Sequence, residues 1–148
     1  MFRGSFSHTL DDKGRFIVPA RFKDVIRASS GDAVMITFMD GCLVAYTLEE
    51  WSKIEDRILA MAEKSQSMRR FRRLFVGGAH ECTCDKQGRV LIPPTLRADA
   101  ALEKEITLVG VLDHFEIWSQ EKYAQEKAAM GADMQRAEVA EEIAKLGL

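Results

Sequence analysis

The chain has 148 residues, 47% apolar and 30% charged, with a formal net charge of −2 and three cysteines. No apolar run approaches the ~20 residues a membrane span needs, and the opening "MFRGSFSHTLDD" lacks the apolar core of a secretory signal. An odd, sparse cysteine set argues against a disulfide scaffold, so the sequence reads as a cytoplasmic, soluble globular protein with room for one domain or two small intertwined units.

In chain order, the first informative segment is "LDDKGRFIVPARF", residues 10 to 22. Gly14 suits the positive φ of a tight turn. Phe16, Ile17 and Val18 then predict a short strand, which Pro19 ends because it lacks the N–H a ladder needs. "ARFKDVIRA" has helical spacing through Phe22, Val25 and Ile26. "AVMITFMDGCLVAYTLEEW" reads as a hairpin turning at Asp40-Gly41. Thr47 and Glu50 form a capping box. Trp51, Ile54, Ile58 and Met61 share one face of the helix that follows, predicted to run to about Glu63. "SMRRFRRLFVGG" predicts a further helix stopped by Gly77-Gly78.

The chain then repeats itself. "TCDKQGRVLIPPTL", residues 83 to 96, places Asp85, Gly88, Arg89 and Pro93 at a constant 74 positions after Asp11, Gly14, Arg15 and Pro19. Val90, Leu91 and Ile92 predict the strand and "TLRADAAL" the short helix. "EITLVGVLDHFEIWSQEKY" predicts a second hairpin with its turn at Asp113-His114. Phe115, Trp118 and Tyr123 follow Leu43, Tyr46 and Trp51 at an offset of 72, the difference falling in a connecting loop where length variation is cheap. Ser119 caps a helix through "QEKYAQEKAAM", which Gly131 is expected to break. Met134, Ala137, Ala140, Ile143 and Ala144 form the stripe of a last helix suited to fraying or assembly. One such unit has too little core to stand alone. Two bury their apolar faces against each other as a pseudo-symmetric pair within one chain, and a surface displayed twice suits a partner with its own repeat, DNA being the common case. The organisation expected is unit 1 over 5–51, a helical connector over 52–80, unit 2 over 81–124 and a helical tail over 125–148.

Charge is uneven. Residues 1–80 hold 13 Lys/Arg against 10 Asp/Glu, and residues 81–148 hold 8 against 13. Arg3, Lys13, Arg15, Arg21, Lys23 and Arg27 crowd the first 27 residues, where they would neutralise phosphates and set most of a salt-dependent affinity. Arginine after a turn glycine presents a planar fork suited to guanine O6/N7 or to phosphate, and a nearby aspartate can fix its direction. Asp and Arg of the motif also suit bracing one unit against its twin; for Asp11 and Asp85 that role stands level with DNA contact, whereas the basic surroundings of Arg15 favour direct contact. Lys86 and Arg89 occupy the corresponding second turn, with Arg97 beyond. Thr95 replaces Arg21, so the second unit is expected to hold phosphate less strongly and the first to be the main DNA-facing one. The run of Arg69, Arg70, Arg72 and Arg73 is first of all a solvated face; it also covers enough helix to meet DNA or an acidic neighbour.

"MFRG", "LDDKGRFIVPARF", "DGCL" before "LEEW", "RRLFVGGAHEC", "DKQGRVLIPPTLR" and "LVGVLDHFEIW" together resemble the MraZ family, from residue 1 to about residue 125. The resemblance implies an α+β fold of tandem swapped-hairpin AbrB-type β-barrel units forming an intrachain pseudo-dimer with flanking helices. It implies a ring-like homo-oligomer that binds short direct repeats in double-stranded DNA upstream of the bacterial division and cell-wall gene cluster. There it would act as a transcriptional regulator, chiefly a repressor, associated with the nucleoid. The family's Asp-x-x-x-Arg mark falls on Asp11 and Arg15 and on Asp85 and Arg89. The DNA-binding residues expected are thus Arg3, Lys13, Arg15, Arg21, Lys23, Lys86 and Arg89, with Asp11, Gly14, Asp85 and Gly88 shaping the turns.

Other classes find less support. No Gly-x-x-x-x-Gly-Lys, Gly-x-Gly-x-x-Gly or Gly-x-Ser-x-Gly occurs. Neither the adjacent Asp11 and Asp12 nor His8, His80 and His114 form a catalytic set, so no enzyme, cofactor or small-molecule substrate is expected. His80, Cys82 and Cys84 alternate on one predicted strand face, but three ligands without Cys-x-x-Cys spacing make a poor zinc site; a buried strand is the better reading, and no metal is expected. An antitoxin-like or scaffold module is the remaining alternative. Antitoxins of this type carry one unit and a flexible tail, whereas this chain has two units and a tail with helical periodicity.

Overall fold

A computed structural model of the chain describes residues 1–62 and 65–148. The elements are β1 (Ser5–Thr9), β2 (Arg15–Ile17), α1 (Ala20–Ser30), β3 (Ala33–Met39), β4 (Cys42–Thr47), α2 (Leu48–Ala60) and α3 (Gln66–Gly77). They are followed by β5 (His80–Thr83), β6 (Arg89–Leu91), α4 (Pro94–Asp99), β7 (Glu105–Gly110), β8 (Phe115–Ser119), α5 (Gln120–Asp133) and α6 (Ala137–Ala144). The fold is α+β. Every described strand pair is antiparallel, in a six-stranded sheet of order β1-β7-β8-β4-β3-β5 and a two-stranded ribbon of β2 with β6.

The strands of the two repeats are interleaved. β1 pairs with β7 of the second repeat, and β5 of the second repeat pairs with β3 of the first. Phe16 faces Val90 in the ribbon and Val44 faces Glu116 in the sheet. Each of these is a pair of equivalent repeat positions, so the internal two-fold passes through both. Alternation along the strands then sorts side chains to two faces. Leu43 and Ala45 join Phe16, Val34, Ile36, Val90, Ile92, Ile106, Leu108, Phe115 and Ile117 in a core drawn from both repeats, closed by the ribbon and the short helices α1 and α4. Phe22 of α1 sits at its centre, with ring centroids 5.2 Å from Phe2 and 4.9 Å from Phe115. Cys42, Val44 and Tyr46 point the other way and pack with Trp51, Ile58 and Phe75 of α2 and α3, and with Trp118.

Local rules account for most element ends. Asp40 and Gly41, with φ of 55° and 81°, make the two-residue turn between Met39 and Cys42. Thr47 Oγ1 accepts from the Glu50 N–H at 3.2 Å, yet Glu50 takes Lys53 Nζ at 2.8 Å, so only half of the expected capping box forms. α2 ends at Ala60, where the Met61 N–H donates to Ile58 O at 3.2 Å, short of the expected end near Glu63, which itself lies outside the described residues. The second hairpin does not turn tightly at Asp113-His114. Its loop spans Val111–His114, because Leu112 is drawn into a bridge with Phe2. Gly131 does not break α5, which runs on to Asp133. With no buried residue the helix has little packing to lose, and one internal glycine costs only about 1 kcal/mol. α6 is shorter than its apolar stripe, starts after Arg136 and likewise has no buried residue.

Candidate nucleic-acid interface

Each motif aspartate organises its own turn. Asp11 Oδ1 accepts from the N–H groups of Lys13 at 3.0 Å and Arg15 at 2.9 Å, while Oδ2 accepts from Arg15 Nε at 2.6 Å. Asp85 does the same: Oδ1 accepts from Gln87 and Arg89 N–H, both at 2.9 Å, and Oδ2 from Arg89 Nε at 2.9 Å. The chain closes behind each carboxylate, Asp11 N donating to Arg15 O and Asp85 N to Arg89 O. Gly14 and Gly88 supply φ of 88° and 77°, where a Cβ is strained. The Arg15 N–H first, then its guanidinium and the Lys13 N–H, hold the Asp11 carboxyl down to about 2 against an opposing desolvation. Asp85 is lowered by the same contacts, led by the Arg89 N–H. Both carboxylates therefore stay charged and keep hold of Nε. The terminal guanidinium nitrogens of Arg15 and Arg89 have no partner among the described residues.

Each turn is also positioned by the other repeat. Val18 N donates to Gly88 O at 2.9 Å, and Ile92 N to Gly14 O at 3.0 Å. Lys23 of α1 lies over Gly88, and Arg97 of α4 lies over Gly14. Arg97 is held there by donating Nε to Ile92 O at 3.1 Å. The glycines thus answer a second demand, since a side chain on either would meet the opposite repeat's cation.

The ribbon between the turns has two faces. Phe16 and Val90 are buried in the core. The outer face carries Arg15 opposite Leu91 and Ile17 opposite Arg89. The two arginines are diagonal neighbours, on the order of 7 Å apart. The structure thus brings Lys13, Arg15, Lys23, Lys86 and Arg89 together at the ribbon and its turns, with Arg21 exposed on the first turn of α1 and Arg97 added. Arg3 is set apart, beyond the far end of β1, with its backbone against Gly110. Arg69, Arg70, Arg72 and Arg73 ride on α3, which packs on the opposite face of the six-stranded sheet from the ribbon.

Among the described residues no group of His, Cys, Asp or Glu is arranged to hold a metal. β5 ends at Thr83, before Cys84, and His80 Nδ1 lies 3.0 Å from Gly78 O. All three cysteines are free, and burial pushes the Cys82 thiol up to about 11. His114 stacks on Tyr46 with ring centroids 4.7 Å apart and meets Asp113 Oδ1 at 2.8 Å. No helix among the described residues is long and apolar enough to cross a membrane.

Two features of this surface went unnoticed in the sequence. The cations over the opposite glycines depend on long-range pairing, which no local pattern reveals. The outward Ile17 and Leu91 were legible, since a strand that buries Phe16 and Val90 must expose their neighbours.

The family model described as "MraZ protein, putative antitoxin-like" matches twice, over residues 1–74 and 75–145. A protein named transcriptional regulator MraZ in Desulforapulum autotrophicum is 58% identical over 148 residues, covering all of both chains. One of the same name in Desulfosudis oleivorans is 53% identical over the same full span. A third, in Ligilactobacillus salivarius, is 45% identical over 124 residues, or 83% of this chain and 84% of that one.

Proposed function

The chain belongs to the MraZ family, and on that footing we propose that it is a sequence-specific DNA-binding transcriptional regulator, not an enzyme, acting in the cytoplasm on the nucleoid. The observation that carries this reading is the pair of Asp–Arg turns set on one exposed ribbon, each with its guanidinium end left available. A two-stranded antiparallel ribbon matches the width of the major groove, where arginine forks find guanine O6 and N7. Over residues 11–23 and 85–97 seven cations oppose three carboxylates, so the face suits phosphate despite the chain's negative total.

Arg15 and Arg89 are the proposed base-reading residues, and Lys13, Arg21, Lys23 and Lys86 the phosphate contacts, with Arg3 an outlying one. Asp11, Gly14, Asp85 and Gly88 hold the turns. Arg21 against Thr95 makes the first unit the stronger. The units proposed are 5–51 and 81–124, of the AbrB swapped-hairpin barrel type, joined by 52–80 and followed by the tail 125–148. The likeness to the family extends the proposal to a ring-like homo-oligomer that binds direct repeats in the promoter of the division and cell-wall gene cluster, mainly as a repressor.

A gel-shift assay with duplex from upstream of the chain's own gene, against a scrambled duplex of equal composition, tests this. Retention of the first under competitor that releases the second is expected. No shift of either at low salt would overturn the regulator and leave an assembly or antitoxin-like module, for which a tight complex with an unrelated protein would be the sign.

A further inference from the structure

Ile17 and Leu91 occupy equivalent positions in the two repeats, and both face outward, 57% and 50% exposed. A single exposed isoleucine means little, since much of any protein surface is apolar. Here the two lie on either side of the internal two-fold, each directly across the ladder from an arginine. The outer face of the ribbon is therefore a square with arginines at one pair of diagonal corners and the apolar Ile17 and Leu91 at the other. The cations Lys13, Lys23, Lys86 and Arg97 surround it.

That arrangement selects its occupant. A cationic rim favours a polyanion over an apolar protein face, and the major groove is a polyanion surface with one apolar group, the C5-methyl of thymine. Resting on the DNA-binding reading above, we propose that Ile17 and Leu91 are specificity-determining residues that bury thymine methyl groups, while the arginines beside them read guanine. The ribbon then prefers sites in which guanine and thymine are near neighbours. Leu91 and Ile17 differ in branching, so the two half-sites need not be identical.

Replacing thymine by uracil removes the methyl and leaves the base pair. The test is fluorescence anisotropy of the full chain with duplex from upstream of its own gene, synthesised once with thymine and once with uracil. Wild type is expected to lose affinity on the uracil duplex by about fourfold for each methyl no longer buried. The double variant Ile17→Ala/Leu91→Ala is expected to bind both duplexes equally, and the thymine one as weakly as wild type binds uracil. Salt-dependent binding by wild type that ignores the methyl would overturn the inference and leave the DNA-binding reading standing. No binding to the thymine duplex would overturn both. An altered oligomer mass in the double variant, with the uracil penalty intact, would make these residues assembly contacts instead. Should the double variant misfold, the milder Ile17→Val and Leu91→Val take its place, each expected to shrink the uracil penalty; a penalty unchanged in both would overturn the assignment.

Discussion

Lys23, from the first repeat, lies directly over Gly88, the turn glycine of the second, where an added Cβ would collide with its Nζ. The turn that aims Arg89 is thus shaped partly by a residue 65 positions earlier in the chain. Gly88→Ala is expected to cost about 1–2 kcal/mol through its left-handed backbone alone. It also pushes Lys23 off the turn. Urea unfolding of Gly88→Ala, Lys23→Ala and the double variant checks this: the double should cost less than the sum of the singles, because the collision is then absent. Full additivity would mean that Lys23 does not rest there.

The motif carboxylates give a signed pH dependence. Asp11 is lowered to about 2 from an ordinary 3.8, and Asp85 is lowered too. A depressed carboxyl contributes stability that is complete above its unfolded value and is lost as pH falls through the folded one. The gap in Tm between wild type and Asp11→Asn/Asp85→Asn should therefore be widest at neutral pH and shrink between pH 4 and 2. A gap that stays constant across that range would show that the turns do not depend on the charged carboxylates.

Phe22 tests whether the repeats share one core. Its ring lies 5.2 Å from Phe2, 5.3 Å from Phe6 and 4.9 Å from Phe115, so it joins the N-terminal strand region to the second hairpin. Phe22→Ala should cost about 3–5 kcal/mol. Unfolding should remain a single transition by both fluorescence and circular dichroism. Two separated transitions would mean that each repeat has a core of its own.

The arginines of α3 stand on the far side of the sheet from the ribbon, near the exposed Leu59 and Leu74. In the proposed homo-oligomer, Arg69→Glu/Arg73→Glu is expected to lower the mass measured by light scattering, through lost pairing with the acidic second half of another copy. An unchanged mass would remove α3 from the assembly interface.

The repeat was the most legible part of the sequence. Gly14, Gly88, Pro19, Pro93 and the Asp40-Gly41 turn are local signals, and the backbone obeys them. Thr47 and Ser119 cap their helices as their side-chain chemistry dictates. The exchange of β1 onto β7 and β5 onto β3 was not legible strand by strand. A period of two says that one face of a strand is buried, not which strand lies beside it. Gly131 misled because a weak helix former breaks a helix only where a competing conformation gains something, and an exposed α5 offers none. Asp113-His114 misled because the Leu112–Phe2 bridge lies 110 residues apart in sequence. Arg15 and Arg89 were visible as candidates from the turn motif, whereas their common face on one ribbon follows only from the pairing of β2 with β6.

The ribbon is the proposed DNA-binding surface, with Arg15 as its leading contact. Anisotropy titrations with duplex from upstream of the chain's own gene, across a salt series, test it for wild type, Arg15→Ala and Arg89→Ala. Binding should weaken steeply with salt, fall by roughly 1–3 kcal/mol in Arg15→Ala and fall by less in Arg89→Ala. Undiminished binding by both variants, while they remain folded, would move the contact surface off the ribbon and to the arginines of α3.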